Sequence, residues 1–342
     1  MTIKTTRIWD TASTALIGRP ELDSLEVARL SGIPNELSAR LWQALGFPTV
    51  PDDERIFTRR DVDVLRFVRH LFDQHEVDPE VFLQMARATG QALARIANMH
   101  ALSIAPEIES AVRSAELSEA DMADRVATLA ETLVESHEPF LGYIWRRHLL
   151  AAISQTVASA DSPESGAETA SIGFADLVDF TTISQQLSEQ ELVQLVDRFE
   201  RIVYEAIPNR GGRVVKMLGD EVMFSNRDPR AAAATALALA EACAADELLP
   251  DVRVGVALGP MLAWEGDLYG KTVNLANRLV GSARPGTVLV SDDLARRLDD
   301  DETFTLVEIR DLKLKGIGKT KVWVLRPRGE SDDPKRRRKE RK

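Results

Sequence analysis

Apolar residues follow two different rhythms along this chain. Up to residue 157 they recur every three or four positions, the spacing of one helix face. Asp23 caps a predicted helix over 24–30, with Glu26 placed to close a capping box. Gly32-Ile33-Pro34 ends that helix, and a second follows over 36–45, before Gly46. Val62, Leu65, Val68, Leu71 and Phe72 mark a helix over 59–72, and Val81, Met85, Ala88, Leu93 and Ile96 one over 79–99. Helices over 118–133 and 140–157 complete about six. The stretch 158–168 is small, polar and broken by Pro163 and Gly166, so it reads as a linker.

After it the rhythm shortens. Strands are predicted over 171–177, 212–218, 222–225, 252–258, 261–265, 287–291, 304–309 and 321–325. Between them lie helices over 189–207, 229–245, 272–280 and 292–298, the second opened by Pro229. Strands and helices do not strictly alternate, which points to an α+β sandwich with a largely antiparallel sheet rather than a doubly wound fold.

Composition narrows the classes. With 342 residues, 44% hydrophobic and 28% charged, the chain has material for about two globular domains. A net charge of −11 argues against nonspecific coating of nucleic acid. The lone Cys243 cannot form an internal disulfide and, inside an Ala-rich helix, reads as a buried inert thiol. No apolar run reaches the ~18 residues of a membrane span, and the start of the chain lacks a signal-peptide core, so the expected location is the cytoplasm. The tail from Lys335 to Lys342 is basic, and reads as a solvated terminus or as a contact for an anionic surface such as membrane or RNA.

Two acidic positions sit beside predicted strand ends: Asp176 in Phe174-Ala175-Asp176, and Asp220 in the hairpin Leu218-Gly219-Asp220. Such a pair, with few nitrogen or sulfur ligands nearby, suits Mg²⁺ or Mn²⁺ bound partly by substrate phosphates. Asn274 and Arg278 lie four apart on one predicted helix, where an amide and a guanidinium share a face and can stabilise phosphate charge.

Phe174-x-Asp176-x-x-x-Phe180-Thr181, Lys216-x-x-Gly219-Asp220, Arg253-Val254-Gly255 and Asp267-x-x-Gly270-x-x-Val273-Asn274-x-Ala276-x-Arg278 together resemble the class III nucleotidyl cyclases, in order and in spacing. The resemblance covers roughly 168–326 and implies a ferredoxin-like βαββαβ core working as a head-to-tail dimer. It implies adenylyl cyclase chemistry: the ATP 3′-hydroxyl attacks the α-phosphorus, giving 3′,5′-cyclic AMP and pyrophosphate. Carried over residue by residue, Asp176 and Asp220 would bind two Mg²⁺ or Mn²⁺ ions per active site, and Lys216 and Asp267 would read the purine. Asn274 and Arg278 would stabilise the transition state, Arg253 would contact the β-phosphate, and Lys315 would reach the terminal phosphates. Lys313, Lys319 and Lys321 crowd Lys315, so a solvated strand edge is its alternative reading. A lysine and a carboxylate can also satisfy guanine, so guanylyl cyclase is the alternative substrate reading. One chain holds both halves of the set, which implies a homodimer with two shared sites. Asp179 departs from the family's usual glycine and adds negative charge near the metal pair, and the loop 263–266 has no assigned role.

These readings divide the chain into a helical regulatory domain (1–157), a linker (158–168), a catalytic domain (169–327) and a basic tail (328–342). All five histidines, His70, His75, His100, His137 and His148, precede the linker. The architecture resembles soluble actinobacterial adenylyl cyclases whose helical N-terminal domain inhibits the cyclase and senses pH. His148, beside Arg146 and Arg147, is the candidate sensor, and a lipid or small-molecule ligand between the helices is a further reading. The segment around Leu25–Ile33 and Arg40–Phe47 also resembles a MerR-like helix-turn-helix, which makes a DNA-binding regulator the competing function. Against it, the would-be recognition segment 35–44 carries only Arg40 as a base, so nucleic acid is not an expected partner.

Overall fold

The computed structural model describes residues 3–74, 77–113, 118–160 and 169–329. The chain divides into two compact units, Met1–Pro163 and Glu164–Lys342. Most of the expected linker, the basic run of the tail and His75 lie outside the described residues.

The first unit is helical: α1 (Ile3–Ile17), α2 (Ser24–Ser31), α3 (Asn35–Ala44), α4 (Arg59–Asp73), α5 (Pro79–Arg113) and α6 (Glu119–Ala160). The capping box of α2 forms as the sequence predicts. Glu26 N–H donates to Asp23 Oδ1 at 2.8 Å, and Asp23 N–H donates to Glu26 Oε2 at 3.2 Å. Leu22, Val27, Ile33, Leu41, Phe57, Val62, Leu65 and Val68 make one buried cluster, each worth about 1.5–3 kcal/mol for the larger side chains. Two expectations need correction. The sequence reading omits α1, which packs along α6 beside buried Met122, Ala123, Val126 and Ala127. The predicted helices 118–133 and 140–157 are one helix, α6, which runs through Pro139. A proline costs one backbone hydrogen bond but need not end a long helix held by tertiary packing.

The second unit is an α+β fold. In chain order it runs β1 (Thr169–Leu177), α7 (Phe180–Ser184), α8 (Glu189–Ala206), β2 (Arg213–Leu218), β3 (Glu221–Asn226), α9 (Pro229–Ala245), β4 (Val252–Pro260), β5 (Leu262–Trp264), β6 (Asp267–Tyr269), α10 (Lys271–Ser282), β7 (Val288–Ser291), α11 (Asp292–Arg297), β8 (Phe304–Glu308), β9 (Leu312–Leu314), β10 (Gly318–Thr320) and β11 (Val322–Pro327). The main sheet has the order β2-β3-β1-β4-β7-β11-β8. Neighbours among its first four strands pair antiparallel, and these strands follow the βαββαβ order of a ferredoxin-like core. β4 and β7 are the parallel pair.

The period of two in each strand sorts its side chains between two cores. Ala175, Leu177, Val222, Phe224, Val252, Val254 and Val256 face α8, α9 and α11, where Leu195, Phe199, Val203 and the alanines of α9 cover them. Ile172, Phe174, Met223, Ala257 and Leu289 face α10 through Ala276, Leu279 and Val280. Gly255 permits that second packing. A Cβ there would lie 2.3 Å from the Val280 nitrogen and 2.7 Å from the Ala276 oxygen, so only glycine lets α10 sit directly on β4.

Candidate active site

The parity that sends Ile172 and Phe174 toward α10 sends Asp176 the same way, at the end of β1. Asp176 stands opposite Glu221 of β3 and Arg253 of β4. Arg253 forms an ion pair with Asp176, while its Nε is buried with no hydrogen-bond partner. Asp220 occupies the tip of the β2–β3 hairpin, beside Gly219 at φ 75°, and its carbonyl accepts from Leu177 N–H at 3.1 Å. The three carboxylates repel one another. Burial, reinforced by Asp176 and Asp220, pushes the Glu221 carboxyl up to about 7. Burial, with Asp176 adding to it, also raises Asp220.

A cleft of about 340 Å³ opens on this face, lined by Asp176, Glu221, Asn277, Arg278, Lys313 and Lys315 among others. The structure therefore brings Asp176, Arg278 and Lys315 to one cleft, with Arg253 joined to it through Asp176. Glu221, Asn277 and Lys313 are lining residues that the sequence reading did not select. Register was the available signal: Glu221 is the cross-strand partner of Asp176, and Lys313 is one strand repeat from Lys315.

Lys216, Asp220, Arg253, Asp267 and Asn274 are not among the residues that line this cleft, Asp220 and Arg253 standing beside Asp176 at its edge. Lys216 of β2 and Asp267 of β6 form an ion pair, although 51 residues separate them in the chain. The hairpin β5–β6, whose loop 263–266 the sequence gives no role, makes that meeting possible. Its two turn residues, Glu265 and Gly266, both have positive φ (51° and 83°), as a tight two-residue hairpin turn requires. Asn274 and Arg278 are both exposed along α10.

Asp179 is exposed and left-handed, at φ 56°, where it opens α7 through its carbonyl rather than its carboxylate. That backbone region favours glycine and tolerates Asp, so the departure from glycine has a conformational meaning. Cys243 is buried, and burial first, then Asp246 and Asp251, pushes its thiol up to about 12, as an inert thiol requires.

In the first unit, α2 and α3 do form two short helices joined at Gly32, but Arg40 is ion-paired to Glu80 at 2.7 Å. Arg40, the one base of the segment 35–44, thus already has an acidic neighbour. A cleft of about 540 Å³ between α1 and α6 is lined by Asp10, Asp124, Glu131 and threonines, which does not suit an acyl chain. His148 is exposed with no partner among the described residues, whereas the His100 and His137 rings meet edge to face with centroids 4.4 Å apart. No helix among the described residues is long and apolar enough to cross a membrane.

Comparison with known proteins agrees with this layout. Residues 163–327 match the "Adenylate and Guanylate cyclase catalytic domain", and residues 4–153 match the "Adenylate cyclase regulatory domain". An adenylate cyclase of Glutamicibacter nicotianae is 33% identical over 90% of this chain and 79% of its own length. One from Streptomyces coelicolor is 37% identical over 80% of this chain and 70% of its own. A protein of Mycobacterium tuberculosis named as a pH-sensitive adenylate cyclase is 28% identical over 80% and 69% of the two chains. With a relative at this identity over most of both chains, and both domains matched in order, the chain belongs to the adenylate cyclases that carry a regulatory domain ahead of the catalytic one.

Proposed function

We propose that this chain converts ATP to 3′,5′-cyclic AMP and pyrophosphate at sites shared by two copies of itself, under control of the helical unit. The observation that carries the reading is the charge layout of the second unit. Two aspartates and a third carboxylate share one strand-end cluster. Arg278 and Lys315 stand across the cleft, and Arg253 has a buried nitrogen still lacking an acceptor.

The donor set fits divalent metal ions. Asp176, Asp220 and Glu221 offer only hard oxygen donors, and their mutual repulsion is the kind a cation relieves. Among the described residues no group of three or more His, Cys, Asp or Glu side chains could hold a metal on its own, so the proposed ions would need substrate phosphates as further ligands. Asp176 and Asp220 would hold two Mg²⁺ or Mn²⁺ ions, which when bound lower the ribose hydroxyl's pKa and offset charge on the departing pyrophosphate.

This chain's own residues do the rest. Arg253 leaves Asp176 and offers both Nε and its terminal nitrogens to the β-phosphate, giving the orphaned Nε an acceptor. Arg278 stabilises charge on the α-phosphoryl oxygens as the 3′-oxygen bonds to the α-phosphorus and the bond to the β-phosphate oxygen breaks. Asn274 orients the ribose. Lys216 and Asp267, already paired, separate enough to donate to adenine N1 and to accept from its 6-amino group. Lys216, Asp267 and Asn274 lie outside the metal cleft, so two chains joined head to tail would bring the purine group of one to the metal group of the other.

The test is a cyclase assay of the full chain with Mn²⁺ or Mg²⁺ and either ATP or GTP. Cyclic AMP from ATP, and its loss in Asp220→Ala with folding intact, is the expected result. Cyclic GMP alone would move the reading to guanylyl cyclase, and near wild-type turnover by Asp220→Ala would remove Asp220 from the metal site.

A further inference from the structure

Four lysines crowd the β9–β10 hairpin and its exit, and the sequence does not distinguish them. The structure does. Lys319 Nζ lies 3.0 Å from Asp311 Oδ2. Lys321 Nζ lies 3.4 Å from Glu308 Oε2 and 4.8 Å above the centre of the Trp323 ring. Lys313 and Lys315, by contrast, make no ion pair or side-chain hydrogen bond with any described residue, and both line the cleft that holds Asp176, Glu221 and Arg278.

Leu314 is 5% exposed, and it lines the cleft together with Lys313 and Lys315 on either side of it. Two strand positions span about 6.5 Å, at 3.2–3.4 Å per residue, and a lysine's flexible stem easily spans the remaining distance. On the other side of the cleft, Asp176 is already compensated by Arg253. Arg278, Lys313 and Lys315 form no ion pair with any described residue, and they share the cleft with Asp176 and Glu221. Three cations without ion-pair partners in one concave site suit a polyanion.

We propose that Lys313 is a second ligand of the nucleotide's terminal phosphates, acting beside Lys315 as one side of a two-lysine clamp. The inference rests on the cleft's being the triphosphate site. It assigns to this chain a contact beyond the roles drawn from family resemblance. A single lysine meets a terminal phosphate as a point charge, whereas two on one strand face bracket it and hold the pyrophosphate moiety in line for departure.

The experiment is calorimetric titration of the full chain with 3′-deoxy-ATP, which lacks the attacking hydroxyl, and separately with AMP, both in Mn²⁺. Lys313→Ala weakens 3′-deoxy-ATP binding about tenfold, the scale of one charge-assisted hydrogen bond, and leaves AMP binding unchanged. Lys313→Arg retains wild-type affinity because the charge is kept. Lys319→Ala, on the partner strand but tied to Asp311, changes neither titration. Lys313→Ala binding 3′-deoxy-ATP as tightly as wild type overturns the proposal, as does an equal loss for AMP. If the wild-type chain binds neither nucleotide, the cyclase reading itself fails, and the clamp with it.

Discussion

Asp292 shows how one carboxylate ties three parts of the catalytic unit together. It accepts from the Trp323 indole nitrogen at 3.0 Å, pairs with Arg296 one turn along α11, and has Lys321 at 3.9 Å. The Trp323 hydrogen bond, followed by Arg296 and Lys321, holds its pKa below the usual carboxylate value. A depressed folded pKa means stability that is full above the unfolded pKa of about 3.9 and is lost as pH falls through the folded value. Asp292→Asn should therefore cost about 1–2 kcal/mol at pH 7, the scale of a hydrogen bond to a charged group. Urea melts at stepped pH check it: the gap between wild type and variant should close as pH falls below 4. A gap of constant size would show that the charge is not the source. This interaction was not legible in the sequence, because Asp292 and Trp323 are 31 residues apart and no local rule pairs them. Asp176, Asp220 and Arg278 were singled out through the motifs that resemble the nucleotidyl cyclases, and two of them, Asp176 and Arg278, line one cleft. The meaning of Asp179 was not legible, since a left-handed φ at a non-glycine residue leaves no trace in composition.

At the scale of elements, α10 matters most, because it carries Asn274 and Arg278 and forms one wall of the cleft. Its height above the sheet is set by Gly255. Gly255→Val would press a side chain into the Val280 and Ala276 backbone, which cannot yield as a flexible side chain could. We expect a loss of about 1–3 kcal/mol in stability from overpacking, and at least a tenfold fall in cyclase rate as Arg278 shifts. Gly281→Ala, on the same helix but facing open space, should instead stabilise the fold by up to about 1 kcal/mol. Thermal melts of both variants test the contrast, and equal effects would contradict it. Strong periodicity made the main strands and most helices readable from sequence. The three-residue strands β6, β9 and β10 were too short to show a period, and β5–β6 owes its form to the Glu265-Gly266 turn. The continuity of α6 was hidden because Pro139 reads as a breaker until packing is known.

At the scale of the molecule, two claims remain to be measured: control by the first unit and sharing of sites between chains. His100 of α5 and His137 of α6 meet edge to face, with ring centroids 4.4 Å apart. Full-length protein should be more active at mildly acid pH than at neutral pH, and residues 165–342 alone should show a flatter profile. Identical profiles would show that the first unit is not the sensor. The division of the chain into two compact units was legible from the change in rhythm near residue 160. The His100–His137 contact was not, because 37 residues and a helix reversal separate the two rings.

The most direct test of shared sites is complementation of two inactive chains. Asp176→Ala removes a metal ligand from the cleft and Lys216→Ala removes a purine contact that lies outside it, so each should be inactive alone. Mixed under conditions where heterodimers form, they should regain cyclic AMP production, up to about half of wild type per dimer, because one of the two sites in each heterodimer keeps its full set. Heterodimers that form and stay inactive would contradict the account and place each site within a single chain.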